Sequence, residues 1–413
     1  MRRWLCAALL ASAPAAAQGG PPTVCTLPIG PEVASDGERL GARAARESCL
    51  APTATFDVAF EGFPDDARRA FAAAVETWSC RVASDVPIRI DARWEPLGAN
   101  VLGSAGPFLT RNFPGAPARD TWYPSALANA IADDDLGGGV DIEASFNSSF
   151  GTWHLDPDTP PGANEYDLYT VVLHELGHGL GFIGNLAVED GLGYVGLPGD
   201  TEGAFIYDRF AQDGAGETLL ELGDGTPVLA AALQDEVWFG GRVALEATGA
   251  PLPLYAPPNW EPGGSYSHLD ETAYPRGTPD GLMTPFVGRG ETVDAPGAAV
   301  CAVLADIGWT LGGDCGTVVG PVAPPGAALA IRRAGPNPVR DADIEVEVSA
   351  AVPQSARVTL VDALGRRVAR ADASLGPEAA PVRFDARELA SGVYLVVVEA
   401  GGEQQSLAVT VVR

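Results

Sequence analysis

The chain has 413 residues, a formal net charge of −28 and 46% hydrophobic residues. That length supports two or three domains with their own cores. So acidic a surface disfavours nucleic acid and anionic membranes as partners. Every basic residue is arginine, and lysine does not occur.

The N-terminus reads MRR, then WLCAALLASAP, then AAA before Gln18. A charged start, a short apolar core and an A-x-A site predict a signal peptide over 1–17. Cleavage after Ala17 removes Cys6, and losing Arg2 and Arg3 takes the charge from −28 to −30. The leader is too short to span a membrane and no later stretch is long and apolar enough. The expectation is export through the periplasm to the cell surface or the medium, with no membrane span.

Residues 18–50 are Gly/Pro-rich and suit a short pro-region or an N-terminal strap. Thr55–Phe63 alternates like a strand, and Asp65–Val82 is an amphipathic helix with acids in its first turn. Val86–Trp94, Asn100–Leu109 and Val140–Asn147 read as further strands, with a short helical piece at Thr121–Ala132. The acidic run Asp133–Asp135 is a calcium candidate, or a solvated turn ahead of GGG. His154, in GTWHLDPD, is a candidate substrate contact or spare ligand; the plainer reading is a loop histidine.

The chain is organised around the stretch Val171–Phe182, VVLHELGHGLGF. Residues four apart share one helix face, so His174 and His178 of H-E-x-x-H project together and can hold one edge of a zinc site. Glu175 then reaches a water on the metal, whose pKa zinc lowers to roughly 7, and takes its proton. Two of only four histidines sit at this spacing, which argues against chance. Gly181 permits a sharp exit from the helix. H-E-x-x-H supplies two ligands, so a third must come from elsewhere in the chain. His154 and His268 remain among histidines; Glu189, Asp190 and Glu202 are the acidic alternatives.

His268 lies in GGSYSHLDE, and LMTPF follows with Met283, the only methionine besides the initiator. This combination resembles the leishmanolysin-like branch of the metzincin proteases, which also has an insertion between the glycine and the third histidine and then a Met-turn. The resemblance spans residues 55–312. It implies one catalytic zinc on His174, His178 and His268, Glu175 as general base, Met283 beneath the metal and AVCAVLADIGW as a closing helix. It also implies that Val140–Asn147 edges the cleft and pairs with an extended substrate. No tyrosine closely follows Met283, so no separate oxyanion group is assigned.

The expected fold class is α+β. A metzincin-like protease domain over 51–315, a twisted sheet plus the active-site helix, carries an insertion at 185–265 that reads as mostly irregular. A linker at 316–328 follows. Residues 329–413 alternate in short strands, which predicts a small all-β sandwich. There GPNPVRD, LVDALGRRV, LASGVYLVVVEAGG and VTVVR resemble the C-terminal sorting domain of type IX secretion substrates. The implied partners are that machinery and protein or peptide substrates.

Five cysteines remain after leader removal. Proximity favours Cys25–Cys49 and Cys301–Cys315, leaving Cys80 as a buried thiol. A sharper alternative makes Cys25 or Cys49 a plug on the zinc. The leading function is a secreted zinc endopeptidase. The alternatives are a non-catalytic binding or adhesion protein on the same scaffold, and a gluzincin-like peptidase with an acidic third ligand.

Overall fold

The computed structural model describes residues 25–28, 49, 51–197, 201–315, 330–333, 339–340, 342–350, 354–361, 367–376, 380–387, 389–390, 392–400 and 403–412. The predicted signal peptide and linker lie outside the described residues, as does most of the segment 18–50. The protein is mixed α+β and divides into two compact units, residues 1–320 and 321–413.

The first unit is built on a five-stranded sheet. Its strands in chain order are β1 (Cys25–Pro28), β2 (Phe56–Glu61), β3 (Ile88–Glu95), β4 (Val101–Pro107) and β5 (Ile142–Asn147), and the spatial order is β1-β4-β5-β3-β2. β2, β3 and β5 run parallel; β4 runs antiparallel to β5, and β1 antiparallel to β4. Helices α1 (Asp65–Ser79), α2 (Ser125–Ala132) and α3 (Leu168–Gly179) complete the half before the insertion. α1 carries Asp65 and Asp66 at its positive end and buries Ala67, Ala70, Phe71, Ala74 and Trp78. These mostly small side chains let α3 approach closely. The Trp78 indole donates to the Leu173 carbonyl at 3.0 Å, and the Thr77 and Tyr169 hydroxyls meet at 2.8 Å. Phe60, Phe63, Phe71 and Phe146 pack edge to face between α1 and the sheet.

Two expectations are corrected, and a third is refined. The strand Ile142–Asn147 does not edge the cleft. It is central, because β4 pairs along its other side in the register Ala105↔Ala144 and Gly106↔Glu143. As expected, more than half of the insertion's described residues lie outside helices and strands, but it carries short elements. It forms a hairpin of β6 (Leu186–Glu189) and β7 (Leu192–Val195), a three-stranded sheet of β8 (Ala211–Asp213), β9 (Val237–Phe239) and β10 (Leu252–Leu254), and helices α4 (Pro227–Ala232) and α5 (Arg242–Thr248). Its strands are three or four residues long, too short for alternation to stand out. The disulfides are Cys49–Cys80 and Cys301–Cys315. Cys80 caps the C-terminus of α1 and meets Cys49 there, whereas β1 carries Cys25 to the far edge of the sheet. Proximity in sequence misplaced that pair.

Helix α6 (Ala298–Ile307) closes the first unit, and the Trp309 indole beyond it donates to the Leu180 carbonyl at 2.8 Å. The second unit is two antiparallel sheets. One holds β11 (Ala330–Arg333), β12 (Asp343–Ser349) and β15 (Ala380–Asp385). The other holds β13 (Gln354–Val361), β14 (Arg367–Leu375), β16 (Gly392–Ala400) and β17 (Glu403–Val411). Val346, Val348, Val358, Leu360, Val396 and Val398 form its core, as alternation over strands of this length requires. Among the described residues no helix is long and apolar enough to cross a membrane.

Candidate metal centre

All twelve residues of α3 are buried. Asp167 caps it, accepting from the Thr170 amide at 3.2 Å and the Thr170 hydroxyl at 2.6 Å. At the other end Gly181 takes φ +117°, and a Cβ there would lie 2.8 Å from Pro124 and from Ile307. The turn sets the Phe182 amide on the Gly177 carbonyl at 3.0 Å. It also brings the Phe182 carbonyl onto His178 Nδ1 at 2.7 Å. The glycine singled out in the sequence therefore aims the His178 imidazole as well as ending a helix.

His174, His178 and His268 come together. His178 Nε2 lies 3.0 Å from His174 Nε2 and 3.1 Å from His268 Nε2. Each Nδ1 faces a backbone carbonyl: Leu282 for His174 at 2.6 Å, Phe182 for His178 at 2.7 Å, Gly264 for His268 at 2.8 Å. A carbonyl only accepts, so each Nδ1 carries the proton and each Nε2 presents a lone pair. Three converging lone pairs repel unless a cation lies among them. Zn–N bonds of about 2.0–2.1 Å at a tetrahedral angle set nitrogens roughly 3.3 Å apart, close to this spacing. Burial holds all three imidazoles neutral, with His174 pushed down to about 4, His268 to about 3 and His178 well below its ordinary value. Neutral imidazole is the form that binds metal.

Glu175 is fully buried, and neither carboxylate oxygen has a hydrogen bond of ordinary geometry. Burial pushes its pKa well above the carboxylate range; the Ala105 and Leu27 amides pull it down from a looser approach. An unpartnered buried carboxylate beside three convergent imidazoles fits a metal and a small polar ligand. Met283 is fully buried, and a Cβ on Gly177 would lie 2.6 Å from its sulfur, so the thioether packs on the helix between the two histidines. The preceding carbonyl, Leu282, is the one that orients His174. The Met283 carbonyl accepts from the Leu269 amide at 2.8 Å, which ties the His268 loop to the same turn.

The other candidates lie elsewhere. His154 Nε2 faces the Thr159 carbonyl at 2.8 Å, and its Nδ1 lies 3.4 Å from Glu165. Glu189, Asp190 and Glu202 are exposed. Asp135 pairs with Arg89 at 2.6 Å, while Asp133 and Asp134 are exposed. Sequence reasoning missed Tyr266 and Asp208, both buried behind the His268 loop, and offered Cys25 as a disulfide partner of Cys49 or as one of two plug candidates. The Cys25 sulfur and one ring nitrogen each of His178 and His268 all lie within 4.8 Å of one another.

Residues 335–412 match the family model of the secretion system C-terminal sorting domain. That domain marks proteins exported by type IX secretion to the cell surface or extracellular space, so the protein is exported by this route and interacts with its machinery. No curated protein matches the chain. Among solved structures, dimeric latent PorU from Porphyromonas gingivalis is 20% identical over 21% of this chain and 9% of its own, with a TM-score of 0.17. A CARDB domain from Pyrococcus furiosus, in complex with di-metal ions, is 20% identical over 21% of this chain and 90% of its own, with a TM-score of 0.18. A beta-glucosidase from Listeria innocua is 15% identical over 21% of this chain and 16% of its own, with a TM-score of 0.15. At such TM-scores these likenesses carry no argument about fold or activity.

Proposed function

We propose that the first unit is a secreted zinc endopeptidase of the leishmanolysin-like metzincin type. The observation that carries this is the set of three imidazoles, each held by a carbonyl at Nδ1 and each turned inward at Nε2, beside the unpartnered Glu175 carboxylate. The order of HELGHGLGF, SHLDE and LMTP, with Met283 under the helix, supports the metzincin assignment over a gluzincin-like site. The exposure of Glu189, Asp190 and Glu202 weighs the same way.

His174, His178 and His268 would hold the ion. Zinc held there would supply Lewis acidity and would lower the pKa of the attacking water. Glu175 takes the proton of the attacking water and returns it to the leaving amine. Its buried setting favours holding that proton between the two steps. An extended peptide substrate would be held by main-chain hydrogen bonds, which tolerate varied side chains.

The test is metal content and casein cleavage by the full chain, Glu175→Ala and His268→Ala. The reading expects one zinc per chain in the wild type and in Glu175→Ala, cleavage lost in Glu175→Ala by about 10²–10⁴-fold, and zinc lost in His268→Ala. A folded wild type that binds no zinc overturns it and favours a binding protein on this scaffold.

A further inference from the structure

We propose that His154 is a proton-operated clamp on the loop 155–165, closing it as the imidazolium and releasing it as the neutral ring. The loop is a joint between α3 and the chain leaving the Met283 turn. Its ends meet where the two-residue strands Trp153–His154 and Tyr166–Asp167 pair in parallel, with His154 opposite Asp167, the residue that caps α3. Its later limb packs on Gly290. The Gly290 amide donates to the Glu165 carbonyl at 2.8 Å, and the Arg289 guanidinium donates to the Asn164 carbonyl at 3.2 Å. A Cβ on Gly290 would lie 3.3 Å from the Ala163 Cα.

The imidazole bridges the two limbs of this loop. Nε2 faces the Thr159 carbonyl at 2.8 Å and the Thr159 hydroxyl at 3.3 Å. That hydroxyl donates its proton to Asp156 at 3.0 Å, so both Thr159 oxygens turn lone pairs toward the ring. Nε2 therefore carries a proton in either charge state, and Nδ1 is the nitrogen that titrates. Nδ1 lies 3.4 Å from Glu165 Oε2, the same oxygen that accepts from the Gly162 amide at 2.7 Å. Without a proton, Nδ1 sets a lone pair against a carboxylate. With one, the ring donates to Thr159 on the early limb and pairs with Glu165 on the later limb. The imidazole is 13% exposed and Glu165 44%, so the pair is partly shielded from solvent.

The other charged groups about the ring lie on three elements. Asp156 is in the loop itself, where the Asp158 amide and the Thr159 hydroxyl hold it below the usual carboxylate range. Arg69 of α1 acts on Asp156 from outside the loop and pairs with Asp66 at 2.9 Å. Asp167 is buried across the strand pair, and Arg289 lies on the segment beyond Met283. Of these side-chain types, histidine alone ordinarily titrates between pH 5 and 8. An exported protein meets the pH of its surroundings directly. Acid closes the joint between α3 and the Met283 segment, and mild alkali loosens it.

The test uses the full chain with isotope-labelled imidazoles, the His154 signal being the one lost in His154→Gln. Nε2 of His154 should be protonated at both ends of its titration. Amide exchange over 155–165, taken relative to the unstructured rate at each pH, should become about two- to fivefold faster as the ring loses its proton, the size expected for a partly exposed ion pair. That step should vanish in His154→Gln and in Glu165→Gln. A neutral ring protonated at Nδ1, loop exchange that ignores the ring's titration, or the same step in Glu165→Gln overturns the clamp. None of these readouts involves a metal, so their failure is distinct from failure of the zinc reading.

Discussion

The Tyr266 hydroxyl donates to the Asp208 carboxylate at 2.5 Å, and both side chains are buried. The same hydroxyl accepts from the Leu186 amide at 2.6 Å, and Asp208 accepts from the amides of Asn185 and Phe205. The Tyr207 hydroxyl donates to the Tyr266 carbonyl at 3.1 Å. These bonds lock the chain just after α3 to the loop bearing His268. They occupy the space over Gly184, where a Cβ would lie 1.8 Å from the phenol oxygen. A residue other than glycine at 184 is excluded, and the phenol anchors the third imidazole from two residues away.

Tyr266→Phe therefore leaves the Leu186 amide and a buried carboxylate short of a partner. The expected loss is about 1–3 kcal/mol of stability and a weakening of metal binding by roughly 10–100-fold. Denaturant unfolding and a competitive chelator titration measure the two. Full stability together with unchanged metal affinity would show that the lock does not position His268.

Met283 and Gly177 form a second close pair. Gly177→Ala sets a Cβ 2.6 Å from the sulfur. The thioether end can shift, so the expected cost is about 1–3 kcal/mol. Met283→Ala instead opens a cavity under the ligands and costs about 2–5 kcal/mol. Both changes disturb the turn whose Leu282 carbonyl holds His174, so metal affinity falls along with stability. A thermal shift in either variant without any change in metal affinity would separate the turn from the site.

The disulfides make a direct prediction. Non-reducing peptide mapping should recover Cys49 with Cys80 and Cys301 with Cys315; recovery of Cys25 joined to Cys49 would refute the arrangement. Cys49 and Cys80 close a loop of separation 31, so replacing both by serine is expected to cost about 3–4 kcal/mol, measured by denaturant unfolding.

The helix and the meeting of His174 with His178 were legible because H-E-x-x-H encodes geometry in spacing. Gly181 was legible because a sharp exit has few other sequence solutions. The place of His268 came from family resemblance, since no local spacing connects it to α3 across the insertion. Position within the sheet was not legible: alternation in Val140–Asn147 reports two faces, not which neighbours pair with it. The strand Cys25–Pro28 was hidden for the same reason. Four residues carry too little pattern, and their burial depends on β4, some 75 residues further on. Asp208 and Tyr266 look like ordinary loop residues until the fold brings them together, and no signal in the sequence marks the pair.

Glu291 ties pH to the same region. It is buried, and it accepts from the Gly277 amide at 3.1 Å and the Gly288 amide at 2.6 Å, on either side of the turn that bears Met283. Burial raises its pKa from 4.5 to about 7, against the pull of those two amides and of Arg276. Between these values the folded protein keeps a proton that the unfolded chain has released. The associated stability is fully present below about 4.5 and is lost as pH rises through about 7, an effect of roughly 3 kcal/mol. Glu291→Gln removes that titration while adding a pH-independent cost for the amide that then faces a backbone N–H. The informative quantity is therefore the slope. Unfolding free energies at pH 4.5, 6 and 7.5 should fall more steeply in the wild type than in Glu291→Gln, by that amount across the window. Parallel curves for the two proteins would show that Glu291 titrates no differently in the folded and unfolded chains, and that its carboxylate is solvated where the structure has it buried.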